Sequence, residues 1–461
     1  MLSRPPNLPA VRTNVPENEP PKQEPMARRT ALLLILFCSG LSVLWGSFLA
    51  HSSSGGLADF KAVFYGARCL IHHADPYNNT EFLRIYQADG VPIPTDPMMA
   101  DLFRRAVLVC INLPTTLFFL VPFALLPLKV AYPLWALLMA AGLCLACYLM
   151  WDLAAKNAPR LALFLVCFLA ANCVILFADG NAACVVISLC VIAAWCFLRN
   201  RFAAAGVVCL ALSLLIKPHD AGLVWIYFLL AGGVYRKRAL QTLLVTAALG
   251  VPAVLWVTQG APQWLSELRS NLQLASMRGG LNDPGPASLG FHHPDPILAL
   301  QAFVSVFRDD PHFYVPAAML VAGGLLIMWT VITLRARVTP HRAWLALAAI
   351  AALTMLVTYH RQHDAKLLLL TVPACALLWA EGGLKGWLAA LASTAGIVIT
   401  GDIPSTGLSI LTAHVEAGDG FFTNLRAALL VRPAPLILLG MAVFYLWAYW
   451  QRAASETKSL A

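Results

Sequence analysis

Apolar residues come in long runs separated by short polar loops, and two loops are far longer than the rest. The first apolar run covers 31–50, after Arg28 and Arg29. Eleven more runs follow between 130 and 450. About 20 apolar residues are needed to cross a bilayer as a helix, so the pattern predicts about twelve transmembrane helices, eleven to thirteen allowing for the short runs. Lipid offers backbone groups no partners, and each run must therefore be helical. The fold class is an all-α polytopic membrane protein.

Two further stretches in the first long loop carry helical patterning of their own. In Leu57–Tyr77, LADFKAVFYGARCLIHHADPY, Phe60, Val63, Phe64, Ala67, Leu70 and Ile71 recur at helical spacing. That periodicity predicts a short helix with one greasy face, lying along the membrane surface with Asp59 at its N-terminus. An aspartate there is also a good cap for free backbone N–H groups. The run from Leu113 to Pro127 is apolar but has prolines at both ends and one inside. It is too short to span and reads as a second surface helix.

Residues 1–30 form a tail, rich in Pro, Glu and Asn, that predicts disorder on the cytoplasmic side. The core module is 31–257 and includes a first external loop at 51–129. A second external loop covers 258–312, and C-terminal transmembrane helices fill 313–461. If 113–127 does not cross, the short inner loops hold Lys156, Arg160, Arg199, Arg201, Arg236, Lys237, Arg238, Arg335, Arg337, Arg342 and Lys385 against Asp152 and Glu381. Eleven basic residues against two acids satisfy the positive-inside rule, with both termini cytoplasmic. If 113–127 crossed, the later loops would flip and Arg236-Lys237-Arg238 would face outward.

Composition agrees. The 461 residues are 59% hydrophobic and 12% charged, and the mean hydropathy is +0.71. The net charge of +9 is spread over short loops with no basic face interleaved with aromatics, so nucleic acid is not expected as a partner. Most of the twelve cysteines lie in spans as small apolar fillers. Cys69 and Cys110 share the first external loop and are the one pair placed to bond.

No acid or base falls in the middle of a run. The polar chemistry gathers at one level, at the outer ends of helices and in the outer loops, where a lipid-borne substrate would show its head group. Besides Asp59, three clusters stand there. Lys217-Pro218-His219-Asp220 makes a tight turn in which a lysine suits a phosphate. Tyr359-His360-Arg361-Gln362-His363-Asp364-Ala365-Lys366 packs charge between two apolar runs, and Arg361 suits bidentate binding of phosphate. Ser276–His293 is rich in Gly and Pro, and Asn282 and Asp283 offer hydrogen bonds to sugars. The spacing of His360 and His363 permits metal binding, but no third ligand has a good claim, so neither metal nor cofactor is expected. One carboxylate with Lys, Arg and His around it fits glycosyl transfer from a lipid phosphate, the acid removing the acceptor proton and the cations receiving the leaving phosphate. The competing class, a solute transporter or lipid flippase, predicts inverted repeats or polar groups at mid-membrane, and the chain has neither pattern.

Several motifs in order resemble glycosyltransferase family 87. They are Asp59 with the pattern ending Ala74-Asp75-Pro76-Tyr77, the proline-bounded run 114–127, Gly180-Asn181 where the family often has Gly-Gln, Ala205-Gly206 through Lys217-Pro218, and the histidine-bearing turn at 359–366. The likeness covers roughly 30–380. It implies a GT-C-type membrane enzyme using a polyprenyl-phosphate hexose, with mannose the family default, and a glycolipid or glycan acceptor. It implies inversion at the anomeric carbon, Asp59 as general base, and His360 or His363 in contact with substrate. Leu113-Pro114 and Gly180-Asn181 depart from the family's Pro-Pro and Gly-Gln.

Overall fold

The computed structural model describes residues 28–52, 56–91, 93–293, 295–336 and 338–458. The tail expected to be disordered and Arg337 fall outside those residues, the tail except for its last three. Among the described residues there are helices and no strands; a single antiparallel bridge joins Ile297 to Arg361. Eight helices are long and apolar enough to cross a membrane, or nine if Gly383–Ile399 and Asp402–Leu411, bent by 69°, are one span. The runs expected at 182–198, 203–217 and 220–235 do form helices, Ala183–Leu198, Ala203–Ile216 and Pro218–Ala231, but with 16, 14 and 14 residues they are shorter than a full span. The expected surface helix at 113–127 is Pro114–Ala124. At 11 residues it is about 16 Å long, roughly half a bilayer core.

The centre of the bundle is Pro340–Val357. Thr339 caps it by accepting from the Arg342 amide, and a proline opens its first turn. Its alanine-rich body lets neighbouring helices approach closely, and it packs against both Pro433–Lys458 and Pro311–Arg335. The segment after it begins as a ten-residue 3-10 helix, Gln362–Thr371, before relaxing to an α-helix at Val372–Glu381. Runs of 3-10 helix beyond three or four residues are uncommon. This one is held by buried polar ties at its head: the Asp364 carboxylate accepts the Arg361 amide at 3.0 Å, and Lys366 Nζ reaches Asp402 at 3.1 Å.

Two helices show how the bundle separates its charges. Helix Arg28–Ser52 is about 37 Å long by its 25 residues. At its N-terminus Arg28 stands 3.9 Å from Asp152, which also pairs with Arg199 at 3.0 Å. Beyond its other end, the Leu57 amide donates to Ala178 O and the chain enters the next helix at Asp59. Helix Leu128–Ala154 repeats this polarity. Asp152 lies at its C-terminus, while Tyr132 and Trp135 near its start donate to Phe177 O and Gly180 O. The basic loops and Asp59 therefore sit at opposite ends of the bundle.

The helix expected in 57–77 forms at Ala58–Ile71. Leu57, with φ of 64°, starts it, and a left-handed His73 lets the Ala74 amide close its end on Cys69 O. The expected single greasy face is wider in the structure, because protein covers most sides of the helix. Phe60 and Ala62 to Ala67 are all buried, as are Cys69 and Leu70. Helix Pro114–Ala124 lies against it, and Asn79–Ala88 and the π-turn Arg104–Leu108 cover its other sides. Apolar residues off the helical stripe, such as Ala62 and Tyr65, are what this second layer buries. Cys69 and Cys110 are buried free thiols.

Candidate functional site

The site is built on a close approach between two segments. Gly180 takes φ +65°, and a β-carbon on it would stand 2.7 Å from Phe60 Cβ. Only glycine lets the 180–181 turn lie against the first turn of the Asp59 helix. Phe60 is stacked on Trp135, ring centroids 5.8 Å apart, and Trp135 Nε1 donates to Gly180 O at 2.9 Å. Burying Phe60 stabilises this joint by about 1.5–3 kcal/mol. The Asn181 side chain is aimed by its own turn, since its Oδ1 accepts the Ala183 amide at 2.8 Å. Its amide nitrogen then faces Asp59 Oδ2 at 2.6 Å and His363 Nε2 at 3.1 Å. Leu57, not Asp59, stands at the N-cap of this helix, and among the described residues Asp59 accepts none of its backbone N–H groups.

The 217–220 turn joins from the other side. Lys217 Nζ donates to Asp364 Oδ1 at 2.5 Å and stands 3.5 Å from Asp220 Oδ2. Burial works against the ammonium, but the Asp220 and Asp364 carboxylates overcome it and hold Lys217 above the ordinary lysine range. His219 is half-exposed. Burial of its ring and the Lys217 charge lower it to about 4, so it is neutral at physiological pH. Asp220 is fully buried, and its Oδ1 lies 3.3 Å from His360 Nε2 and 3.7 Å from His219 Nε2.

The loop 276–299 is latched onto the 359–366 turn by Arg361. Its five N–H groups are all taken: Tyr359 Oη accepts from Nε, Asp295 O and Oδ2 from one amine, and Leu281 O and Asn282 Oδ1 from the other. Leu298 N donates to His360 O at 2.8 Å. Asp295 is the acid beneath. Burial opposes its ionisation, but His363 and Arg361 hold its carboxyl well below the usual range. His363 Nδ1 is 3.3 Å from Asp295 Oδ2.

The structure thus brings together Asp59, Lys217, His219, His360, Arg361, His363 and Asp364, with Asn282 on the latch. It does not bring Asp283 with them, because that carboxylate is spent inside its own loop, accepting the Gly279 and Gly285 amides at 2.8 and 2.9 Å. Sequence reasoning passed over Asn181, Asp220 and Asp295 as site residues. Asn181 and Asp220 stood inside quoted motifs, whereas Asp295 carried no pattern at all. The two histidines of the HxxH spacing diverge, His363 toward Asn181 and Asp295 and His360 toward Asp220. A small cleft lies elsewhere, lined among others by His292, His293, Ser405, Thr412 and Arg432, and does not include Asp59, Lys217 or His363.

A model of glycosyltransferase family 87 matches residues 111–359, more than half of the chain. The matched stretch holds Asn181, Lys217, Asp220 and Asp295; Asp59 precedes it and the 360–366 turn begins where it ends. No curated protein and no solved structure gives a significant match.

Proposed function

Because the chain belongs to glycosyltransferase family 87, and so is a membrane enzyme that transfers sugar, we propose that it moves a hexose, with mannose the default, from a polyprenyl-phosphate donor to a glycolipid or glycan acceptor. The transfer takes place at the external face of the cell membrane and inverts the anomeric centre. The observation that carries this reading is the single side chain of Asn181 bridging Asp59 and His363, which joins the first loop to the 359–366 turn, to which Lys217 is tied in turn through Asp364.

In the proposed mechanism Asp59 is the general base. Asn181 fixes one of its oxygens, leaving the other to take the acceptor hydroxyl proton as that oxygen attacks the anomeric carbon. The bond from the anomeric carbon to phosphate breaks on the opposite side, and polyprenyl phosphate departs with the electron pair. Lys217 stabilises the growing charge by a direct contact. Arg361, with its N–H groups occupied, contributes positive charge and holds the loop over the turn. His363 and Asn282 stand where sugar hydroxyls would need partners. The external location is supported by the separation of Asp59 from the basic end of the bundle.

The test is to incubate the purified protein with radiolabelled polyprenyl-phosphate sugars and a membrane extract. Asp59→Asn should fold and bind donor yet turn over about 10²–10⁴-fold more slowly. Normal turnover in Asp59→Asn would remove the base from the mechanism.

A further inference from the structure

We propose that His219, Asp220 and His360 form a binding site for a divalent cation of the zinc type. Their ligand atoms lie within 4.8 Å of one another. Asp220 Oδ1 stands 3.3 Å from His360 Nε2 and 3.7 Å from His219 Nε2. Three ligands at about 2.0–2.1 Å from a tetrahedral ion are separated by about 3.3–3.4 Å, so the cluster needs only small closure to hold one. Two imidazoles with one carboxylate are a donor set that suits first-row divalent ions.

The second observation is the state of the buried atoms. His360 Nδ1 is 3.2 Å from Thr358 O, a carbonyl that can only accept. Thr358 Oγ1 lies at 3.2 Å from the same nitrogen, so both oxygens of Thr358 anchor that edge of the ring and turn Nε2 toward Asp220. That arrangement is the usual outer support of a metal-binding histidine. Nε2 faces a carboxylate, and among the described residues neither His360 Nε2 nor either oxygen of Asp220 has a hydrogen-bond partner, although both residues are fully buried. Buried polar atoms without partners are costly. An ion between them satisfies Nε2 and Oδ1 together and leaves Oδ2 to Lys217 at 3.5 Å. His219 is the half-exposed member, with 38% of its side chain accessible, so the ion enters and keeps its open position on that side. On the transferase reading, that position beside Lys217 receives an oxygen of the donor phosphate; this consequence rests on that reading, the site itself does not.

The experiment loads purified full-length protein with Zn2+, desalts it and measures bound metal, with Co2+ absorption as the second readout. Wild type and Asp59→Asn should each retain about one ion per chain, and Co2+ should give an intense visible band typical of tetrahedral coordination. His219→Ala and Asp220→Asn should lose the ion and the band; His219→Gln, at the half-exposed position, serves if the buried Asp220→Asn fails to fold. Equal metal content in wild type and His219→Ala, or a Co2+ spectrum unchanged by these substitutions, overturns the site. A chain that binds Zn2+ as expected but transfers no sugar overturns the transferase reading and leaves the site standing. An active chain that retains no ion overturns the site alone.

Discussion

Asp59 and Asp75 belong to the same polar loop, and their carboxylates are used in opposite ways. Asp75 Oδ1 accepts the amide of Tyr77 at 2.8 Å, the local turn expected of an aspartate before proline. Among the described residues Asp59 accepts from Asn181, a residue distant in sequence, and from none of its own helix's N–H groups. Asp75→Asn should therefore keep transfer activity within a few-fold of wild type, since Asn makes the same turn, while Asp59→Asn does not. A dead Asp75→Asn beside an active Asp59→Asn, measured with the same labelled donor, would move the base. Lys217 is the other residue with a singular task. Lys217→Gln retains one donor for Asp364 but loses the charge. A hydrogen bond to a charged group contributes about 1.5–3 kcal/mol, so the apparent donor affinity should fall about tenfold to a hundredfold. Unchanged donor affinity in a folded Lys217→Gln would exclude Lys217 from the phosphate.

At the scale of elements, two joints hold the site. The first is the contact of Gly180 with Phe60. Gly180→Ala meets both a left-handed backbone and a β-carbon 2.7 Å from Phe60 Cβ, so it should cost about 1–3 kcal/mol and swing Asn181 off Asp59. The expected result is a lower melting temperature together with at least tenfold lower turnover; wild-type values for both would mean that the turn has no positioning role. The second joint is Arg361. Arg361→Ala leaves Asp295 buried without its guanidinium partner and cuts the loop 276–299 free of the turn, so limited proteolysis should now cleave that loop. Arg361→Lys should not restore protection, because an ammonium cannot span acceptors on Tyr359, Asp295, Leu281 and Asn282 at once. Protection retained in both variants would refute the latch.

For the whole molecule, the basic loops and the acidic site end lie a helix length apart, and the positive-inside rule turns that polarity into an orientation. Lys237, exposed on the basic side, and Leu289, 54% exposed in the loop 258–312, report on the two sides. Single Lys237→Cys and Leu289→Cys substitutions should differ in intact cells. An impermeant thiol reagent should label only the cysteine at 289, and labelling of both from outside would refute the topology.

The hydropathy of the chain alone determined that this is a membrane-embedded bundle of helices, that the run 113–127 holds a helix too short to span, and that charge gathers in a few short motifs. Those properties are local: each depends on a window of neighbouring residues and on their transfer from water to lipid. The family motifs placed Asp59, Lys217 and the 359–366 turn on the same list for the same reason, as short stretches read one at a time. Which side chain meets which was left to the tertiary structure. Asn181 lies between Asp59 and His363 because Gly180 allows a close backbone approach that no window of sequence displays. His360 parts from His363 because a 3-10 segment begins between them, and the ring then falls on Asp220 from another helix. Asp283 looked equivalent to its neighbours until its own loop amides took both its oxygens. Pairings across more than a hundred residues depend on the packing of the whole bundle, and it is that packing which selects, from many polar residues at the outer level, the few that face one another.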